Sequence, residues 1–227
     1  IRAEATAAPH SGILRFTFPK NPSSRIQIDL ARRVGGTSTE QYIQVINDHT
    51  IKGWMKCTPE GGGWGNGAGH PDYTVYFYAQ FSKPFQSFGV WQAEISEDME
   101  RRRHNVETKA YQKLVSQAEI EKGCREKQGK HLGFYSEFQT AEGEQILIKA
   151  GISFTSMQAA EENLQSEIKN FDFDHIRNNA RNLWNDVLDK IIVQGGTEDD
   201  KTVFYTALYH TMIDPRNFSD VNGSYLG

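Results

Sequence analysis

"EQILIKAGISFTSMQAAEENLQSEI", Glu144–Ile168, contains the change of periodicity that decides how this chain folds. Up to Phe154, apolar residues fall at every second position. Ile146, Ile148, Ala150, Ile152 and Phe154 therefore share one face of an extended strand. From Met157 to Ile168 the pattern becomes that of a short amphipathic helix, with Thr155 or Ser156 as its cap. Apart from residues 94–130, the chain before this point reads as strand, and the chain after it as helix.

Toward the amino terminus, "GILRFTFP" places Leu14, Phe16 and Phe18 on one face with Arg15 and Thr17 opposite. "RIQIDLA" repeats the pattern with Ile26, Ile28 and Leu30. "YIQVI" and "IKGWMKC" follow, separated by the turn-forming "NDHT". In "YTVYFYAQF", Val75, Phe77, Ala79 and Phe81 alternate with Tyr76 and Tyr78, so both faces carry apolar bulk. Short strands at close intervals with turn signals between them predict an antiparallel β-sandwich. Residues 94–130 break the pattern. They are charged and helix-prone, with Arg101–Arg103 set among carboxylates, and read as a solvated excursion that is helical in part.

Toward the carboxy terminus, a second helix starts near Asp172–Asp174. It carries Ile176, Ala180, Leu183, Trp184, Val187, Leu188, Ile191 and Ile192 on one face, and Gly195–Gly196 ends it. Thr197 caps a third helix whose first turn holds Glu198, Asp199 and Asp200, where negative charge suits the helix dipole. Val203, Phe204, Ala207, Leu208, Thr211 and Met212 form its expected buried stripe, and Pro215 stops it. The expected fold class is mainly β followed by α. Three such helices cannot close a core alone, so they need partners or must pack back on the sandwich.

The composition narrows the function classes. A length of 227 residues supports a sizeable core, and 37% hydrophobic with 24% charged residues is globular. A net charge of −4 with no basic stripe gives no footprint for nucleic acid, and no apolar run approaches the roughly 20 residues of a membrane span. Cys57 and Cys124 leave open whether they pair, and no CxxC pattern occurs. Both ends look like cuts in something longer.

Motifs point away from several chemistries. "EGGGWGNGAGH", Glu60–His70, surrounds Trp64 with glycines but lacks the lysine-containing phosphate loop and any following helix. It reads as a hairpin loop whose Trp64 covers the sandwich edge or, functionally, stacks on a sugar ring. No histidine pair has HxH or HxxxH spacing, which gives metal binding little support, and GxSxG is absent. His210, beside Tyr205 and Tyr209, reads as a hydrogen-bonding structural residue or as part of a pocket. Carboxylates and aromatics remain, the residue types that sugar hydrolysis uses. The closing segment "NFSDVNGSYLG" offers Asp220, Asn222, Ser224 and Tyr225 around a Gly-containing turn. Asp220 by itself is equally a turn residue.

"FYTALYHTMIDPRNFSDVNGSYLG" resembles the signature of glycoside hydrolase family 92, the exo-acting α-mannosidases, often α-1,2-specific. "AGISFTSMQAAEENLQSEIKNFDFDHIRNNARNLWNDVL" is similar to the family's linker, and "AEATAAPHSGILRFTFP" and "VYFYAQFSKPF" to its amino-terminal sandwich. The resemblance spans nearly the whole chain apart from residues 94–130. It implies a supersandwich-like β-domain over residues 1–154, linker helices over 155–196, and over 197–227 the first helix and loop of an (α/α)6 catalytic barrel. It further implies calcium-dependent, inverting hydrolysis of terminal α-linked mannose in an exported, periplasmic or cell-surface enzyme. Mannose-containing glycans are the partners this implies.

Inversion uses an acid and a base roughly 6.5–9.5 Å apart. In the family these groups and the calcium ligands lie later in the barrel, so no catalytic or metal-ligating residue is placed here. The fragment by itself is expected to be inactive and to bind no calcium. By the same resemblance, Asp220 faces the mannose pocket and accepts hydrogen bonds from sugar hydroxyls. Asn222 and Tyr225 are further substrate-binding candidates, and Trp64 is a rim candidate. Asn222 stands where the family usually has Asp, and Ser224 and Leu226 where Arg is commoner. The alternative is a carbohydrate-binding or purely scaffolding sandwich module.

Overall fold

A computed structural model describes residues 1–33, 36–61, 72–95, 108–213 and 217–226. Strands β1 (Arg2–Ala7), β2 (Ser11–Phe18), β3 (Asn21–Asp29), β4 (Arg32–Arg33) and β5 (Gly36–Thr37) open the chain. β6 (Glu40–Asn47), β7 (Thr50–Cys57), β8 (Tyr73–Phe81) and β9 (Ser87–Gln92) follow. Then come helix α1 (Thr108–Ser116) and strands β10 (Glu119–Lys122), β11 (Glu126–Gly129), β12 (Leu132–Thr140) and β13 (Glu144–Ser153). Three helices close the order: α2 (Met157–Glu167), α3 (Phe173–Leu188) and α4 (Glu198–Thr211).

One sheet runs β1-β2-β13-β8-β7-β6-β11 and a second runs β10-β9-β12-β3, with antiparallel pairing throughout. Their facing sides form the main core. Phe18, Ile43, Ile51, Phe81, Ile146 and Ile148 from the first sheet meet Ile26, Val90, Leu132, Phe134 and Phe138 from the second. The expected mainly-β sandwich with helices after it is the observed architecture.

The centre of the first sheet is buried on both sides, as the two apolar faces of "YTVYFYAQF" require. On its outer side, Ile13, Tyr76, Tyr78 and Leu147 pack with Ala160, Leu164, Ile168, Phe173 and Ile176 from α2 and the start of α3. Ser156 caps α2 by accepting from the Ala159 amide at 3.0 Å. Gly151 sits under the helix, where a Cβ would meet the Ala160 carbonyl at 2.1 Å. Only glycine permits so close a seat. Lys149 is buried beneath the same helix and donates to the Ile168 and Lys169 carbonyls at 2.9 and 3.0 Å. It thereby caps the carbonyl end of α2. Glu167 accepts from Ser11 Oγ at 2.5 Å and lies 2.6 Å from His10 Nδ1. Arg15 anchors α3, bonding Glu4 at 2.8 Å and Asp174 at 3.0 Å while lying 4.2 Å over the Phe173 ring.

Four expectations change. Residues 108–130 are not a detached excursion: β10 pairs with β9 and β11 with β6, so this segment supplies an edge strand to each sheet. Arg101–Arg103 lie outside the described residues, as does Pro215. On β13, Ile146 and Ile148 enter the core, but Ile152 is 44% exposed because the facing sheet no longer covers the strand there. Phe154, expected on the same face, packs instead on Tyr73 and Phe218. The stripes of α3 and α4 are only partly covered. Ile176 is buried, whereas Leu183, Trp184, Ile191 and Ile192 are exposed, the last two beyond the end of α3. On α4 no residue is buried, and Val203 is 69% exposed. Trp184 meets Tyr209 at 4.6 Å, which holds the two helices against each other at one point.

Candidate functional site

The site candidates gather at one end of the first sheet. β7 finishes at Cys57, opposite Tyr73 at the start of β8, and Tyr76 lies opposite Ser153 at the end of β13. A 3-10 turn, Pro59–Gly61, leaves this end. Gly61 is required there, because a Cβ would stand 2.1 Å from the Thr37 carbonyl. Trp64, in the glycine-rich segment that follows in sequence, lies outside the described residues.

The carboxy-terminal loop returns to this end after α4. Tyr73 packs edge-on to Phe154 at 5.9 Å, and Phe154 packs on Phe218 at 5.0 Å. Beside them Asp220 is 5% exposed. Its Oδ2 accepts from Thr155 Oγ1 at 2.6 Å and Ser153 Oγ at 3.0 Å, and its Oδ1 accepts from Asn163 Nδ2 at 2.7 Å. Asn163 is fully buried on α2; its Nδ2 also donates to the Ile152 carbonyl at 2.8 Å, and its Oδ1 accepts from the Val221 amide at 3.0 Å. The Ile152 carbonyl fixes which side of this amide carries the donors.

A tight turn completes the loop. The Asp220 amide donates to the Ser224 carbonyl and the Gly223 amide to the Asp220 carbonyl, both at 2.8 Å, with Gly223 at φ 85°. Asn222 Oδ1 accepts from the Ser224 amide at 2.9 Å. The turn directs Asn222, Ser224 and Tyr225 outward, and Tyr225 is 69% exposed.

Asp220, expected to contact the sugar, is held from the protein side. Its carboxylate faces protein donors from the sheet end and α2, leaving the exposed groups of the loop to face a ligand. Ser153, Thr155 and Asn163 were missing from the site read in the sequence. The available signal was Asn163 itself, an amide inside the buried face of α2 beside Leu164.

Metal binding finds no support at this end. Among the described residues no three His, Cys, Asp or Glu side chains converge as ligands. The Asp220 carboxylate is occupied by hydroxyl and amide donors, so the residues present do not fit calcium. Cys57 and Cys124 are free, and burial pushes both thiols up from their ordinary value. His210 lies on the exposed surface of α4, and Tyr205 is tied to the chain before α4 by donating to the Ile191 carbonyl at 3.1 Å.

Comparison with known proteins accounts for both halves. Residues 1–153 match the glycosyl hydrolase family 92 N-terminal domain, and residues 159–227 match the family 92 catalytic domain. The chain belongs to glycosyl hydrolase family 92. A solved family 92 α-mannosidase from Bacteroides thetaiotaomicron superposes with a TM-score of 0.77 at 28% identity, covering 99% of this chain and 26% of that one. The same enzyme has been solved with mannoimidazole bound. A family 92 inverting mannosidase from Bacteroides thetaiotaomicron VPI-5482 shares the fold, with a TM-score of 0.75 at 20% identity and the same coverage. An uncharacterized secreted glycosidase from Arthroderma benhamiae is 29% identical over 96 residues, 40% of this chain and 12% of its own length. The family 92 chain thus spans about a quarter of the solved mannosidases, and joins the family's sandwich to the helical start of its barrel. Among the described residues no helix is long and apolar enough to cross a membrane.

Proposed function

We propose that this chain is the sandwich, linker and first barrel helix of an exo-acting α-mannosidase that removes terminal α-linked mannose from glycans. The division is residues 1–154, 155–196 and 197–227. The observation that carries the reading is the turn at Asp220–Ser224. It is docked on the sheet end through a buried carboxylate, with Asn222 and Tyr225 exposed on its outer side. Asn222 and Tyr225 hydrogen-bond and pack on the terminal sugar, Asp220 supports them from below, and Trp64 remains the rim aromatic that the family resemblance offers.

Hydrolysis with inversion draws its acid and base from elsewhere in the barrel, and calcium, an oxygen-seeking ion, finds its ligands there as well. The 227-residue chain by itself is inactive in this reading. An exported enzyme, periplasmic or at the cell surface, suits a glycan substrate. The family membership and the mannosidase neighbours support the glycosidase reading, and the secreted relative supports export.

The test is hydrolysis of an α-1,2-linked mannobiose by the full-length protein, followed by proton NMR. The expected first product is β-mannose, formed in the presence of calcium and abolished by a chelator. Release of α-mannose, or no hydrolysis of any α-mannoside, contradicts the assignment. Tight binding of mannosides by the 227-residue chain alone favours a binding module instead.

A further inference from the structure

We infer that Ser153, Thr155, Asn163 and Asp220 form an interdomain clasp, and that Asp220 is a positioning residue for the sugar-facing loop. The inference rests on the proposed mannoside site. The four residues come from the end of β13, the link to α2, α2 itself and the carboxy-terminal loop, with Asp220 57 residues from Asn163 and 67 from Ser153 in sequence. Ser153 lies at the end of the match to the N-terminal domain, and Asn163 and Asp220 lie in the match to the catalytic domain.

Thr155 and Ser153 each carry one hydroxyl hydrogen and each hydroxyl lies within donating distance of Asp220 Oδ2, while the two hydroxyl oxygens are themselves 3.0 Å apart. Asn163 has two amide hydrogens, directed to Asp220 Oδ1 and the Ile152 carbonyl, while its oxygen receives the Val221 N–H. Ser153 Oγ in turn accepts from the Thr155 amide at 2.9 Å. The Asp220 carboxylate offers an acceptor to every donor aimed at it. Burial raises the cost of losing any of these hydrogen bonds. The clasp therefore sets where the backbone from Val221 to Ser224 lies relative to the sandwich, and with it Asn222 and Tyr225.

Position and direct contact make different forecasts for Thr155, whose hydroxyl faces Asp220. Thr155→Val and Asp220→Asn are compared in the full-length protein with Thr155→Ser, which keeps the hydroxyl. The clasp predicts that Thr155→Val and Asp220→Asn each raise KM for an α-mannoside roughly tenfold, with a smaller change in kcat. The double variant should fall well short of the product of the two effects, and Thr155→Ser should stay near the parent. Hydrogen exchange at the Val221 and Gly223 amides should quicken in both single variants but not in Thr155→Ser.

If Thr155→Val leaves both KM and exchange unchanged while Asp220→Asn raises KM, Asp220 is a direct contact and the clasp is refuted. Faster exchange with an unchanged KM reduces the cluster to a fold element and refutes positioning. A parent protein without mannosidase activity removes the proposed function. Exchange then decides the clasp by itself, and unaltered exchange in Thr155→Val overturns it.

Discussion

Helices α2 and α4 make opposite use of their sequences. α2 is the more polar in appearance, yet Ala159, Ala160, Asn163 and Leu164 are buried against β13 and β8. α4 carries Val203, Phe204, Ala207 and Leu208, yet none of its residues is buried. Apolar periodicity states which face a helix will bury when a partner arrives; it does not supply the partner. α2 finds one because Gly151 lets it approach β13 and because Lys149 and Glu167 fasten its carboxyl end. In these residues α4 touches its neighbour α3 mainly through Trp184 and Tyr209.

The comparison breaks most sharply at Leu164, which is fully buried. Leu164→Ala should lower the unfolding free energy of the 227-residue chain by about 2–5 kcal/mol in urea titration. Gly151→Ala comes next. Its Cβ would press on the backbone of Ala160 and Leu164, so a loss of about 1–3 kcal/mol is expected, with α2 amides exchanging faster.

On α4, Thr197→Ala removes a capping box shared with Asp200. The expected cost is about 1 kcal/mol. It should be read in α4 amide exchange while the urea midpoint of the sandwich stays in place. Val203→Ala, at an exposed position, should change stability by no more than about 0.5 kcal/mol. A Val203 effect as large as that of Leu164 would show that α4 is buried against something in solution.

The seat of α2 also has a pH signature. Burial pulls Lys149 below the ordinary lysine value of 10.5. The folded state then binds fewer protons than the unfolded state in the range just below 10.5, so stability rises with pH there. Lys149→Met should remove that rise, as followed by urea midpoints across pH 8–10.5.

Much of the sandwich was legible, because strands facing a core alternate, as Leu14, Phe16 and Phe18 do. β10 and β11 were not. Their sequences, EIEK and EKQG, are mostly charged or polar as befits edge strands, and no period-two apolar signal marks them. Thr197 was readable as a cap, and the cap of α2 to within Thr155 or Ser156, because capping is local, whereas the start of α3 was read only as lying near Asp172–Asp174. The partners of Asp220 were not readable, since they lie 57 to 67 residues away and are joined only by the folded sheet end. A buried aspartate and a turn aspartate look alike in sequence. The exposed Asn222 and Tyr225 were legible only through resemblance.

The most direct test of the account is the kcat/KM of the full-length protein for a terminal α-mannoside after Tyr225→Ala, a loop position that is 69% exposed. The account predicts a fall of about tenfold or more with the urea midpoint unchanged. An unaltered kcat/KM would contradict the placement of this loop at the sugar.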